Sequence, residues 1–321
     1  MCTRVLWNTN DIAVLFGRTM DWPESTEPQI VAFARGEKRD GGVLAGTVVD
    51  ENGLKWTSRY ASLVIPVFGV GTAEGFNEKG LAVHGLYLKA TSVGDRDPSR
   101  PGLQILLWVQ YLLDQAATVA QALALMDSFQ LVMVNVHGFD VTMHLALEDL
   151  AGDSAIVELI RGKPIVHHGR EYILMTNDPT YGEQLELLSQ QDFSQPSEQT
   201  PLPGNVSAVD RFQRAAYFTA LLPEPESERQ AVAALLAIMR NVSVPFGVPD
   251  QDFGVCSTEY RTIGDLTHLT YYFELTTSPN IVWVEFSNLD FTNSAPLALD
   301  PHDDTLVGDV TSRLAPAHIA F

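Results

Sequence analysis

The sequence predicts a layered α+β fold, and three observations predict it. Short runs rich in Val, Ile, Leu and Phe, broken by Asn, Asp, Gly and Pro, fill the first third of the chain, as in hairpins. Two later blocks carry apolar residues at three- and four-residue spacing, the period of a helix. Strands and helices thus come in blocks, β-rich, helical, β-rich, helical, β-rich. They do not alternate strictly, as they would in a doubly wound parallel sheet.

The elements follow in order. TRVLWNT, IAVLFGR and QIVAFAR read as strands, LKWTSRYASLVIPVFG continues the pattern, and GFNEKGLAVHGLYL sets an Asn-Glu-Lys-Gly turn before another strand. PSRPG breaks the chain. The run from Leu103 to Phe129 then predicts helix, kinked near Ala117, with a second helix in ATVAQALALM. Strands return in MHLALED, SAIVELIRGK and EYILMTND. The polar, proline-bearing stretch from Gln184 to Asn205 reads as surface connection. SAVDRFQRAAYFTALL and ERQAVAALLAIMRNV predict two more helices, and HLTYYFELT and NIVWVEFSN are closing strands of strong β-propensity. The length of 321 residues admits one large domain or two ordinary ones. No internal repeat interrupts it.

Composition excludes several functions. The net charge is -20, which argues against nucleic acid, whose binding needs clustered Lys and Arg, and against docking on anionic lipid. Two cysteines, Cys2 and Cys256, make no disulfide framework. Neither a signal peptide nor an apolar run of about 18 residues is present, so a cytoplasmic location is expected, and the sequons at Asn205 and Asn241 are chance matches. GVGTAEG lacks the spacing and the following helix of a phosphate loop. His167 and His168 are adjacent, point to opposite faces of a strand, and read as turn residues, not metal ligands.

One constellation carries chemistry. Cys2 sits directly behind Met1, where chain ends fray and core packing is not expected. If Met1 is removed, with no propeptide, Cys2 bears both a thiol and a free α-amine. In a hairpin, FGRTMDW returns Arg18 and Asp21 beside it. A cation favours the thiolate, and a carboxylate can position the amine. Cys256 reads as structural, buried in a C-terminal strand.

The chain resembles the choloylglycine hydrolase family, the N-terminal nucleophile hydrolases that include penicillin V acylases and bile salt hydrolases. The resemblance rests on MCT with FGRTMDW, GFNEKGLAVHGLYL, ILMTNDPTY, SAVDRFQRAAY, CSTEYRTIGDLTHLTYYFEL and PNIVWVEF, in that order along nearly the whole chain. It implies a single domain over 1–321, a four-layer αββα sandwich of two antiparallel sheets. It implies Cys2 as nucleophile, Arg18 beside the thiol, Asp21 positioning the α-amine, Asn177 and Tyr87 at the oxyanion hole, and Arg211 supporting the site.

The expected reaction is hydrolysis of a linear amide through an acyl-enzyme thioester. The α-amine, whose ordinary pKa of about 7.7–8.0 lies near working pH, replaces a histidine as proton shuttle, and no metal or organic cofactor is required. Trp22, Arg59 and Tyr60, with the stretches 59–66 and 134–141, are expected to wall the acyl pocket. The expected partner is a small-molecule amide, with a homo-oligomer (dimer or tetramer) left open. Tyr87, where bile salt hydrolases usually carry Asn and penicillin V acylases Tyr, favours penicillin V or N-acyl homoserine lactones. Conjugated bile salts, or a catalytically silent ligand-binding homologue, are the alternatives.

Overall fold

Alternation along the first hairpin decides which side of each strand meets which layer. The computed structural model describes residues 1–44, 46–278, 280–291 and 295–321. Strand β1 (Cys2–Trp7) pairs antiparallel with β2 (Leu15–Trp22), placing Cys2 opposite Met20, Arg4 opposite Arg18 and Leu6 opposite Phe16. Residues opposite each other share a face. That face meets a second sheet: the Phe16 ring lies 4.5 Å from His84. The other face meets helices, since a Cβ on Gly17 would stand 2.7 Å from Met239.

The other strands of the two large sheets, in chain order, are β3 (Ile30–Phe33), β4 (Ser62–Val67), β5 (Gly71–Asn77), β6 (Ala82–Tyr87), β7 (Met143–Glu148), β8 (Ser154–Ile160), β9 (Lys163–His168), β10 (Leu174–Met175), β11 (Ser257–Asp265), β12 (Thr270–Leu275), β13 (Val282–Glu285), β14 (Leu297–Leu299), β15 (Gly308–Asp309) and β16 (Ala315–Pro316). They form a seven-stranded sheet of order β10-β1-β2-β11-β12-β13-β15 and a nine-stranded sheet of order β9-β8-β7-β6-β5-β4-β3-β14-β16. All neighbours are antiparallel except β13 and β15.

Helices close both outer faces. Helices α1 (Trp108–Gln115) and α2 (Val119–Leu125) lie on the nine-stranded sheet, with Val109 and Leu112 in one core with Val83, Leu145 and Leu147. Helices α3 (Tyr181–Ser189), α4 (Ala208–Ala220) and α5 (Glu228–Asn241) lie on the seven-stranded sheet, with Phe212, Leu235 and Met239 sharing a core with Val5, Trp7 and Ile263. The fold is the four-layer αββα sandwich. No helix among the described residues is long and apolar enough to cross a membrane.

Three local expectations change. The helix expected from Leu103 starts at Trp108. Residues Gly102–Gln104 instead pair with Gln130–Val132, and a short 3-10 turn, Ile105–Leu107, intervenes under the Gln104 side-chain cap. The connection expected from Gln184 begins inside α3, which a Thr180–Glu183 capping box starts; the irregular stretch runs over 190–207. His167 and His168 end strand β9 instead of forming a turn, with His168 Nε2 2.8 Å from Asp153.

Close packing between the sheets yields a stability prediction. Gly264 pairs with Phe16, and a Cβ there would lie 2.2 Å from the Phe16 ring. Gly264→Ala is therefore expected to cost about 1–3 kcal/mol, read as a lower urea midpoint with unchanged slope. An unchanged midpoint would mean that the ring has room to move.

Candidate active site

Cys2 begins β1 but does not fray. It is 2% exposed, and the Asp21 N–H donates to the Met1 carbonyl at 2.8 Å, extending the β1–β2 ladder one residue beyond Cys2. Strand pairing thus buries a position that terminal mobility alone would leave loose. The thiol lies 3.5 Å from Arg18 Nη2 and 3.9 Å from the Met20 sulfur. The Cys2 N–H donates to Asn177 Oδ1 at 2.6 Å, and its carbonyl accepts from Arg211 Nη1 at 2.6 Å.

Arg211 reaches this point from the first turns of α4, which Ser207 caps. Fully buried, it also donates to Asn177 Oδ1 at 2.9 Å and to the Thr3 hydroxyl, and lies 3.5 Å from Asp21 Oδ2. One guanidinium therefore joins the cysteine, the asparagine and the aspartate, using the several donors of its planar fork.

Asp21 is placed by a bulge. Strand β11 shifts register between Thr258 and Tyr260, so Thr258 faces Asp21 and donates to Oδ1 at 2.6 Å. Thr19 donates to Oδ2 at 3.2 Å. The extra residue, Glu259, accepts from Ser25 and Thr26 and anchors the chain after β2. A bulge re-aiming side chains beside a site is a recurrent device. With Met1 in place, the acceptor at the Cys2 nitrogen is Asn177 and not the Asp21 carboxylate. The Met1 ammonium donates to the Asp21 backbone carbonyl.

Asn177 follows β10 and is 4% exposed. Its Nδ2 donates to the Tyr87 carbonyl at 2.7 Å, leaving the second hydrogen of that amide. His144 Nε2 lies 2.9 Å from the Thr176 carbonyl, and Gln184 donates to the Asn177 carbonyl at 3.2 Å, so the turn is held from two sides. The Tyr87 ring packs with Trp22 at 5.9 Å and Phe253 at 5.3 Å.

These residues meet at a cavity of about 370 Å³ lined by Cys2, Arg18, Met20, Trp22, Tyr87 and Phe253, among others. Trp22 and Phe253 are 5.1 Å apart, and Phe139, from the expected stretch 134–141, approaches Phe253 at 6.0 Å. Lys89 lines the same cavity, its ammonium 2.9 Å from Asp252. Arg59 and Tyr60 are a correction: neither lines the cavity. They precede β4, whose other end supplies Val67 to the cavity. At about 3.3 Å per residue, that places them roughly 20 Å away. The Arg59 N–H is tied to the Asp114 carbonyl of α1. Sequence reading also passed over Phe68, Phe253 and Thr258, whose only signal is an aromatic or hydroxyl residue in a turn or at a strand start.

Cys256 immediately precedes β11 and does not lie within it. It is buried, and burial pushes its thiol up to about 11. Among the described residues one group, Glu228, Asp265 and His268, gathers three potential ligand atoms within 4.8 Å of one another. None lines the cavity.

Residues 2–300 match the linear amide C-N hydrolases, choloylglycine hydrolase family. The chain is 36% identical to a penicillin V acylase of Pectobacterium atrosepticum over 98% of its own length and 90% of that protein. It is 26% identical to a bile salt hydrolase/transferase of Clostridium perfringens, over 85% and 84% of the two chains. The structure of a penicillin V acylase from Agrobacterium tumefaciens superposes with a TM-score of 0.88 at 36% identity, covering 99% of this chain and 98% of that one.

Because Arg211 balances Asp21 where neither reaches solvent, Arg211→Met is expected to destabilise the fold by about 3–5 kcal/mol, measured by urea unfolding. A loss below about 1 kcal/mol would show that Thr19 and Thr258 alone suffice for the carboxylate.

Proposed function

We propose, for a chain that belongs to the choloylglycine hydrolase family and is a linear amide hydrolase, that Cys2 is the nucleophile and that the enzyme acts as a penicillin V acylase. The observation that carries this reading is the Cys2 thiol, 3.5 Å from a guanidinium, on the lining of an aromatic-walled cavity.

In this mechanism removal of Met1 frees the Cys2 amine beside Asn177. The amine takes the thiol proton, and the thiolate attacks the amide carbonyl. The second hydrogen of Asn177 Nδ2, together with a donor at Tyr87, receives the oxyanion; a well-placed donor of this kind is worth about 3 kcal/mol. The ammonium gives its proton to the leaving amine as the C–N bond breaks. Water, deprotonated by the same amine, then cleaves the thioester and restores the thiol. Arg211 holds Cys2 and Asn177 in one frame, and Asp21, within reach of that cation, keeps it balanced.

Trp22, Tyr87 and Phe253 favour a flat, apolar acyl group such as phenoxyacetyl, since aromatic pairs contribute about 0.5–1.5 kcal/mol beyond their area. N-acyl homoserine lactones fit the same apolar wall. Conjugated bile salts are the second reading, favoured by the 26% identical relative. Lys89, 63% exposed, would meet an anionic leaving group.

Cys2→Ala is expected to abolish turnover at a stability change of about 1 kcal/mol or less, and active enzyme is expected to begin at Cys2 by N-terminal sequencing. Turnover by Cys2→Ala would point to a different nucleophile, and no turnover by the unaltered protein would leave the silent-homologue reading. In a substrate panel, kcat/KM for penicillin V is expected to exceed that for glycocholate by more than about tenfold, roughly 1.4 kcal/mol. The reverse order would make this a bile salt hydrolase. Lys89→Gln is expected to raise KM for penicillin V while leaving a neutral N-acyl homoserine lactone unchanged. Equal effects on both would remove Lys89 from leaving-group recognition.

A further inference from the structure

Behind Arg18, on the side away from the thiol, a line of charged side chains crosses the space between the sheets. Arg18 Nη1 donates to Glu74 Oε1 at 2.9 Å, and Glu74 Oε2 lies 3.2 Å from His84 Nδ1. His84 Nε2 lies 2.7 Å from Glu148 Oε1, and Glu148 Oε2 accepts from Arg4 Nε at 3.1 Å. All five residues are at most 1% exposed. The Thr262 hydroxyl donates to Glu74 at 3.0 Å, and Ser154 accepts from Arg4 at 3.1 Å.

The proton count of this line follows from its geometry. An ionised carboxylate only accepts hydrogen bonds, and a neutral imidazole donates from one nitrogen only. His84 presents both nitrogens to carboxylate oxygens. One extra proton must therefore sit on the imidazole or on a flanking carboxyl. Two guanidiniums and two carboxylates cancel, so that proton leaves the line with one net positive charge.

We propose that this buried positive charge is matched by a thiolate at Cys2, and that His84 is a positioning residue that sets the ionisation of the nucleophile through Glu74 and Arg18. The inference rests on the reading of Cys2 as nucleophile. Among the described residues, the other titratable groups near the line are Tyr260, whose hydroxyl accepts from Arg18 at 3.2 Å, Tyr271, packed between the Phe16 and Phe76 rings, and Tyr181, near Arg4. Burial keeps all three phenols above their ordinary range, so none supplies the missing negative charge. Burial opposes ionisation of Glu74, but Arg18 and His84 outweigh it and hold that carboxyl at about 2. Burial likewise opposes protonation of His84, but Glu148 and Glu74 outweigh it and raise its pKa. Both directions place the extra proton on the imidazole. Asp21 is not the counter-charge, because it lies on the opposite face of the hairpin with Arg211. On ionisation the thiol proton passes to the Cys2 amine of the mature chain or to solvent.

The test is the pH profile of iodoacetamide alkylation, read at the Cys2 peptide by mass so that Cys256 does not contribute. His84→Gln removes the net charge and is expected to raise the alkylation midpoint by about one pH unit, about a tenfold slower reaction at a fixed pH below the midpoint. Glu148→Gln removes a carboxylate and with it the imidazole's extra proton, because the new amide can donate to Nε2; the net charge stays at one and the midpoint is expected to stay near that of the unaltered protein. The double variant His84→Gln/Glu148→Gln also keeps one net positive charge and is expected to return the midpoint towards that of the unaltered protein. A packing role alone predicts a double variant no better than His84→Gln. That result, or an unchanged midpoint in His84→Gln, overturns the proposal. Should His84→Gln not fold, the nitrogen NMR shifts of the His84 ring in the unaltered protein decide it: an imidazolium is expected, and a neutral imidazole overturns the proposal. Alkylation reports the thiol whether or not Cys2 turns over substrate. Turnover by Cys2→Ala would therefore refute the nucleophile assignment separately.

Discussion

Two arginines buried side by side between facing sheets set the terms for the rest of the molecule. Arg4 and Arg18 are register partners across the first hairpin, and both project towards the nine-stranded sheet. Taking a guanidinium out of water without a partner costs more than a fold of this size can absorb. The nine-stranded sheet must therefore present acceptors opposite both. It does so with Glu74 on β5 and Glu148 on β7, and bridges them with His84 on the strand between. Sliding one sheet past the other by a single residue pair would strand all five groups. Apolar contacts such as Phe16, Phe76 and Tyr271 supply cohesion, but they tolerate many alignments, whereas the charged line permits one.

The same hairpin carries a different cation on its other side. Arg211, from α4, binds the Cys2 carbonyl and Asn177 beneath the strand, while Arg18 stands above it beside the thiol. Cys2 is held between cations that belong to separate layers. Neither layer alone assembles the site, which explains why Asn177 and Arg211 reach it from segments far along the chain. The bulge at Glu259 completes the arrangement by turning Thr258 onto Asp21.

Much of this was legible in the sequence, for identifiable reasons. The juxtaposition of Cys2, Arg18 and Asp21 needs only a hairpin, and local pairing is what β-rich runs and turn residues encode. Asn177, Arg211 and Tyr87 came from motif resemblance, because no local rule brings residues so distant to one point. The charged line was not legible. Glu74, His84 and Glu148 each interrupt an apolar strand with a single polar residue, and only sheet order reveals that the three interruptions touch. Arg59 and Tyr60 failed for a related reason: a strand names its residues but not which of its ends opens on a cavity. Helix α3 was missed because its nine residues are too short a run to establish a period and its start depends on a capping box at Thr180.

The distances along the chain that close the site have a consequence for biosynthesis. Cys2 bonds to residues 175 and 209 positions away, and Asp21 to one 237 positions away. A ribosome delivers the amino-terminal hairpin early and these partners late. Until α4 and β11 have been translated, the cysteine lacks the cation beneath it, and the neighbouring aspartate lacks both that cation and its threonine. Contacts of such long range also form slowly. The nascent hairpin thus carries its cysteine through most of translation without the later partners that hold it, a delay that comes from topology.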